Sequence, residues 1–299
     1  MTATQTELRH GSAEGFDLKP PHEALQILAA AQVDAAAAVQ SAVPEIAAAA
    51  KLAAECLANG GQLVYAAAGS SGMMALADAL ELPGTYGIAR ERIKVLLAGG
   101  VNAVLTMPGA AEDDEDEARD AIADAGVGPD DCVIAVTASG TTPYPMAAVE
   151  AARARGAKTI GIANNRGAAL FDRVDVAICL PTPPEVIAGS TRMGAGTAQK
   201  IALNMLSTQM AVHLGHVHDG YMVNLLADNI KLQARARRIV MAVTAVSEAK
   251  ADDALREAQG AVKTAILLAA GAEDARSAVK LLADHQDRLR PSLAALQQR

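Results

Sequence analysis

The chain has 299 residues, of which 51% are hydrophobic, 2% aromatic and 20% charged, and its formal net charge is -8. This length suffices for one large domain, or for one domain with a small appendage. The lack of tryptophan and the acidic charge argue against a base-stacking platform and a basic nucleic-acid-binding face, so no nucleic-acid partner is expected.

The cysteines and the N-terminal segment predict the cellular compartment of the protein. Cys56, Cys132 and Cys179 are odd in number and lie in apolar stretches, which predicts reduced core residues of a cytoplasmic protein. Residues 1–15 are polar, so no signal peptide is predicted. No run of about 18 apolar residues occurs, so no membrane span or membrane partner is expected.

The first fifty residues read as an N-terminal arm followed by helices. Residues 1–20 are polar and irregular. Pro20 and Pro21 open a helical pattern that runs to about Val43, and a second helix follows from Pro44. The glycines after Asn59 are typical of a helix end.

The middle of the chain alternates short apolar runs with helical patterns. The runs predict five strands, at residues 63–68, 93–97, 132–136, 159–163 and 176–180. Helices are predicted between them, at residues 72–80, 112–125 and 143–155. This alternation is typical of an α/β fold with a parallel sheet covered by helices.

Helical patterns dominate the last hundred residues. Two long helices are predicted, at about 195–214 and 221–245, and short amphipathic helices follow, broken at Gly260 and Gly271. The predicted division of the chain is an N-terminal arm with helices, a central α/β domain and a small helical bundle. The corresponding ranges are 1–50, 51–248 and 249–299.

Two loops that follow predicted strands are rich in glycine and hydroxyl side chains. They are Gly69-Ser70-Ser71-Gly72 and Ser139-Gly140-Thr141-Thr142. Ligands of open parallel sheets bind at the carboxyl ends of the strands, where such loops offer N–H groups and hydroxyls to an anion. Ordinary helix capping is the alternative. Two such loops in one sheet favour a phosphate cradle with five hydroxyl donors, namely Ser70, Ser71, Ser139, Thr141 and Thr142.

A third candidate segment follows the fifth strand. Within eight residues it carries the acid Glu185, the hydroxyls of Ser190 and Thr191, and the cation of Arg192. A proline-rich turn that caps the next helix is the alternative interpretation, and the position after a strand favours a substrate contact.

Other chemistry-bearing patterns are weaker. Neither loop has the spacing of a nucleophile elbow or of a Walker A loop. A metal site is one interpretation of the cluster formed by His213, His216, His218 and Asp219. Turns at the nearby glycines instead favour histidines at a helix end, so no metal and no cofactor are expected. The acidic run 113–117 is typical of a solvated helix start.

Several segments together resemble a known family, the N-acetylmuramic acid 6-phosphate etherases. The similarity runs from about residue 20 to the C-terminal helices. The most specific segments begin at Gly189 (GSTRM), Ala195 (AGTAQK) and Leu203 (LNMLST). Further motifs begin at Gly69 (GSSG), Glu81 (ELPGTYG), Ala98 (AGG), Ala110 (AAEDD) and Ala138 (ASGTTPY).

The resemblance implies a three-layer sandwich of the sugar-isomerase (SIS) type, a C-terminal ubiquitin-associated-like bundle and a homodimer. It implies metal-free cleavage of the D-lactyl ether of N-acetylmuramic acid 6-phosphate in amino sugar catabolism. By motif match, the family's two catalytic glutamates are Glu81 and Glu112. Met73, Thr141 and Gly194 stand where family members usually carry a cation.

Two other functions stay open at this point. An aldose–ketose isomerase also begins with removal of the proton at C2, and only analysis of the products separates it from an etherase. A sugar-phosphate-sensing regulator without catalysis is the second alternative. The presence of both Glu81 and Glu112 argues against it, because a pure binder needs no acid pair.

Overall fold

The computed structural model describes residues 4–106, 109–227 and 229–298. The chain forms two compact units. The first unit comprises Met1–Ala79 and Glu91–Ser207, and the second comprises Leu80–Arg90 and Thr208–Arg299.

A five-stranded parallel sheet forms the centre of the first unit. Its strands are β1 (Leu63–Ala67), β2 (Ile93–Leu97), β3 (Cys132–Val136), β4 (Lys158–Ala163) and β5 (Val176–Cys179), in the order β2-β1-β3-β4-β5. Every residue of β1 and β3 is buried. These two strands are continuous apolar runs because helices cover both faces of the sheet. The predicted five-stranded parallel sheet is therefore confirmed.

Helices follow the strands as in other α/β proteins. They are α1 (Pro21–Ala38), α2 (Val43–Ala58), α3 (Gly69–Tyr86), α4 (Gly100–Thr106), α5 (Glu115–Asp124), α6 (Pro143–Ala154) and α7 (Gly194–His213). Short 3-10 turns lie at Gln5–Glu7, Phe16–Leu18, Val39–Ala42, Arg90–Arg92, Gly109–Asp113 and Ala169–Arg173. Many helix residues that face the sheet are alanines, such as Ala118 on α5 and Ala148 on α6, which lets helices approach closely.

The helical stretch Pro21–Ala58 is long and apolar enough, by length and composition, to cross a membrane. Only 17% of its most apolar window is buried. However, α2 packs against four strands of the sheet and buries Ile46, Ala49 and Ala53 there. These contacts are those of a core helix in a globular protein.

A buried carboxylate connects three elements of the first unit. Asp78 on α3 is 4% exposed and accepts hydrogen bonds from Tyr65 Oη (2.8 Å), Asn204 Nδ2 (2.8 Å) and Ser207 Oγ (2.9 Å). Burial raises the pKa of Asp78, although these hydrogen bonds act in the opposite direction. The network holds α3 against β1 and α7.

The second unit contains a short hairpin and a helical bundle. The hairpin pairs β6 (Val217–His218) with β7 (Tyr221–Met222). The helices are α8 (Ile230–Thr244), α9 (Glu248–Glu257), α10 (Val262–Ala269), α11 (Ala275–Asp284) and α12 (Leu289–Gln297). One hydrophobic core contains buried residues of all five helices, namely Val240, Ala254, Ile266, Leu282 and Leu289.

The starts of two predicted helices are wrong, and the helix predicted to end at residue 80 continues to Tyr86. Residues 221–227 and 229 are not helical, because Asp219 and Gly220 both adopt positive φ and turn the chain into the hairpin. The helix α8 starts at Ile230, behind the capping side chain of Asn229. The acidic helix starts at Glu115 rather than at 112, because Asp114 caps it by accepting the N–H of Glu117 at 2.8 Å.

Candidate active site

The strand order places a ligand crevice beside β1. The chain passes from β1 to β2 on one side of the sheet, and β3 adds on the other side, so the order reverses at β1. In open α/β sheets this switch point is where ligands bind, outside the carboxyl ends of the strands. The loops that follow β1 and β3 are the two loops that the sequence predicted as a phosphate cradle.

A cavity of about 210 Å³ lies at this position, entirely within the first unit. Its wall is rich in hydroxyl groups and carries two carboxylates. The described residues that line it are Thr6, Glu7, Ala68, Ser70, Ser71, Glu112, Val136, Thr137, Ala138, Ser139, Thr142, Gly189 and Thr191. No lysine or arginine is among them, so an anion would be held by N–H groups, hydroxyls and helix dipoles.

The loop after β1 presents unpaired donors. α3 begins at Gly69, whose φ is +53°, and its first intrahelical bond runs from Gly72 N to Ala68 O. The N–H groups at a helix start have no acceptor within the helix. Within the described part of the chain, the hydroxyls of Ser70 and Ser71 have no hydrogen-bond partner either. This loop therefore directs several free donors at the cavity.

Glu112 lies directly against that loop. A Cβ atom on Gly69 would come within 2.5 Å of Glu112 Oε1, so only glycine allows this approach. Burial raises the pKa of Glu112, and the neighbouring charge of Asp113 adds to the effect. A carboxyl group with a raised pKa at the edge of a ligand cavity is suited to proton transfer.

The loop after β3 is held by hydrogen bonds among its own hydroxyls. Thr137 Oγ1 lies 2.8 Å from Thr142 Oγ1, and Ser139 Oγ lies 3.2 Å from the same atom. The N–H of Thr141 donates to Ser139 Oγ at 3.1 Å. Thr142 occupies the N-cap position of α6, yet its side chain makes no capping bond. Helix capping therefore does not explain its hydroxyl.

Asn165 supports the cavity from behind, and sequence reasoning missed it. It follows β4, is 3% exposed, and donates from Nδ2 to the carbonyls of Ala138 (3.3 Å) and Ser139 (3.1 Å). The same amide pairs with Thr6: Nδ2 donates to Thr6 Oγ1 at 3.0 Å, and Oδ1 accepts the Thr6 N–H at 3.2 Å. Its position at the end of a strand was a usable signal.

The segment after β5 divides between two roles. Thr191 lines the cavity, whereas Glu185 and Ser190 are not among the described residues that line it. Glu185 is 4% exposed, and its two oxygens accept the N–H groups of Gly194 and Ala195, each at 2.9 Å. These contacts are those of a cap on α7, which was the alternative interpretation of this segment.

The other predicted site residues lie elsewhere. Thr141 is exposed and its side chain bonds to Ser139. Glu81 is an exposed residue of α3 in the part assigned to the second unit. In residues 4–106, 109–227 and 229–298, no group of three or more His, Cys, Asp or Glu side chains is arranged to hold a metal ion.

Comparison with known proteins agrees with this geometry. A family model described as the SIS domain matches residues 28–164. The fold resembles a phosphoheptose isomerase from Francisella tularensis (TM-score 0.51, 21% identity, covering 64% of this chain and 98% of that one). A phosphoheptose isomerase from Neisseria gonorrhoeae gives the same TM-score and coverage at 17% identity. The first unit is thus built on a sugar-isomerase domain.

Relatives that are similar over most of the chain define its family. An N-acetylmuramic acid 6-phosphate etherase of Deinococcus radiodurans is 44% identical over 91% of this chain and 90% of its own length. The etherase of Streptomyces avermitilis is 41% identical over 97% and 96%. The chain belongs to the N-acetylmuramic acid 6-phosphate etherase family, and the resemblance found in the sequence is confirmed.

Proposed function

We propose that this protein is a phosphosugar lyase that cleaves the D-lactyl ether, or a similar C3 ether, of an N-acetylmuramic acid 6-phosphate-type substrate. The observation that carries the proposal is the position of Glu112. Its carboxylate lies against Gly69, the first residue of a helix whose N-terminus and serine hydroxyls face the same cavity. A proton-transfer group and an anion-binding loop thus meet in one cavity.

The phosphate would bind at the two loops. Ser70 and Ser71 offer free hydroxyls, and Ser139 and Thr142 offer a prearranged pair. Neutral donors at helix starts bind phosphate without a cationic side chain, because the helix dipole favours negative charge there. This matches a chain that has Met73 and Thr141 where relatives usually carry cations.

The reaction would proceed on the open-chain aldehyde, where the proton at C2 is acidic because it is α to the carbonyl. A carboxylate takes that proton, the bond between C3 and the ether oxygen breaks with its electron pair leaving on oxygen, and an acid protonates the released alkoxide. Water then adds across the C2–C3 double bond. We assign the acid and base roles to Glu112 and Glu81, on the cavity position of Glu112 and the motif position of Glu81.

The deciding experiment measures the release of lactate from N-acetylmuramic acid 6-phosphate with an enzyme-coupled assay. A panel of hexosamine and hexose phosphates is run in parallel, with proton exchange at C2 monitored in deuterated water. Lactate release with deuterium incorporation at C2 supports the proposal. A ketose product without lactate would replace it with the isomerase, and phosphosugar binding with neither product nor exchange would replace it with the non-catalytic regulator.

We also propose that the protein is a cytoplasmic homodimer, as its family resemblance implies. The first helix supports the dimer: of α1, only Ala35 is buried, whereas Leu25 and Val33 are 64% and 69% exposed. A second subunit that covered these two side chains would remove apolar surface from water, which favours association. Light scattering tests the mass, and Leu25→Asp with Val33→Asp should shift it to that of a monomer.

A further inference from the structure

We propose that Glu7 is a specificity residue of the cavity, which accepts hydrogen bonds from the hydroxyl or amide N–H groups of the bound sugar. The inference rests on the proposed phosphosugar function. It concerns a residue far in sequence from every motif of the site, in the 3-10 turn Gln5–Glu7.

The turn is fastened to the loop that follows β3. Thr6 is only 4% exposed, and its backbone N–H and side-chain oxygen both pair with the amide of Asn165. The same amide donates to the carbonyls of Ala138 and Ser139. The buried amide of Asn165 therefore connects the N-terminal turn to the loop after β3. This connection places Glu7 on the wall of the cavity.

Glu7 is available to a ligand. Within the described residues its carboxylate has neither a hydrogen-bond partner nor an ion-pair partner. It lies next to Gly189, where a Cβ atom would come within 3.5 Å of Glu7 Oε2. Gly189 also lines the cavity, and its φ of +75° favours glycine. The backbone there leaves room beside the carboxylate.

Charge decides which part of the ligand Glu7 meets. A carboxylate repels the phosphate group, which the hydroxyls of Ser70, Ser71 and Thr142 attract from the two loops. An ionised carboxylate only accepts hydrogen bonds. Glu7 is therefore matched to neutral donors of the sugar, and Thr6 acts as the positioning residue that keeps it in place.

The test is calorimetric binding of two probes, N-acetylglucosamine 6-phosphate and inorganic phosphate, to the full chain. Glu7→Ala should weaken binding of the sugar phosphate about ten- to hundredfold, the range for a hydrogen bond to a charged group, and leave phosphate binding unchanged or tighter. Glu14→Gln, an exposed acid of the same N-terminal segment, is the matched control and should bind both probes normally.

Thr6 is tested by Thr6→Val, which removes the oxygen that Asn165 contacts, and by Thr6→Ser, which retains it. Valine should raise KM with little change in kcat, and serine should restore it.

Affinity for the sugar phosphate within twofold of normal in Glu7→Ala, or an equal loss for both probes, would overturn the proposal. So would a wild-type chain that binds neither probe. Failure of lactate release alone, with binding intact, would remove only the etherase assignment.

Discussion

The two loops of the cavity occupy equivalent positions after β1 and β3 but are built differently. The hydroxyls of Ser70 and Ser71 have no partner within the described part of the chain. Those of Thr137, Ser139 and Thr142 are bonded to one another before any ligand arrives. The first loop keeps its hydrogen-bonding capacity for a ligand, and the second uses part of that capacity to fix its own shape.

The difference extends to the glycine of each loop. Both Gly69 and Gly140 have positive φ, at +53° and +78°. A side chain on Gly69 would meet the carboxylate of Glu112, whereas one on Gly140 would meet the Cβ of Ala168. The first glycine thus makes room for a reactive group, and the second makes room for packing. Equivalent loops of one sheet can therefore divide chemistry and rigidity between them.

The largest effect is expected from Glu112→Gln. Glutamine keeps the shape of the side chain but cannot transfer a proton, so turnover should fall by about 10²–10⁴-fold while phosphosugar binding persists. The neighbouring exposed acid provides the control: Asp113→Asn at pH 8 should keep near-normal turnover. Single-turnover lactate release measures both variants. Equal activity of Glu112→Gln and wild type would remove Glu112 from the mechanism.

Substitution of Gly140 and substitution of Gly69 should have different effects on stability and activity. Gly140→Ala forces positive φ on alanine and brings its Cβ to 2.2 Å from that of Ala168, so the free energy of unfolding should fall by about 2–4 kcal/mol. Gly69→Ala displaces only a side-chain carboxylate, so it should unfold about 1–2 kcal/mol more easily but lose most turnover. Urea denaturation and kcat separate the cases. A stable, inactive Gly140→Ala would reverse the comparison.

The hydroxyls offer a finer comparison. Ser71→Ala removes a free donor, and we expect a loss of about 1.5–3 kcal/mol in phosphosugar binding with stability within about 0.5 kcal/mol of wild type. Thr142→Val breaks the prearranged cluster, so it should weaken binding and also lower stability by about 1 kcal/mol. Calorimetry and thermal unfolding measure both, with Ser41→Ala as a remote control. Unchanged stability in Thr142→Val would show that the cluster does not fix the loop.

The smallest effect concerns pH. A base must be ionised, and the raised pKa of Glu112 places the acid limb of kcat/KM above the ordinary value of 4.5, with activity lost as the pH falls through it. The free energy of unfolding depends on pH in the opposite direction from activity. The stabilising contribution of the Glu112 carboxyl group is present at low pH and is lost as the pH rises through its folded-state pKa. Because Asp113 raises the pKa, Asp113→Asn should move the limb to lower pH. An unmoved limb would contradict that contribution.

The sheet was predictable because its inner strands β1 and β3 are buried along their whole length and read as continuous apolar runs. The strands 93–97 and 132–136 match the prediction to the residue. The predicted helix 221–245 was wrong at its start because its apolar residues outweighed the Asp219-Gly220 pair, a typical signal of a hairpin. Local turn chemistry, rather than hydrophobic periodicity, decides the structure there.

The site was predictable where it follows strands. Ser70, Ser71, Ser139 and Thr142 come directly after β1 and β3, and all line the cavity. Glu7 was not predictable, because it joins the wall through pairing of Thr6 with a residue 159 positions away. Nothing in a local pattern encodes such a contact.

The buried network around Asp78 has an evolutionary consequence. Tyr65, Asn204 and Ser207 each direct a donor at this one carboxylate. An apolar residue at position 78 would leave three donors without an acceptor in a site with little access for water, and each unsatisfied donor costs about 1–3 kcal/mol. The four positions are therefore expected to change together among relatives, with Phe at 65 and apolar residues at 204 and 207 accompanying any loss of the acid.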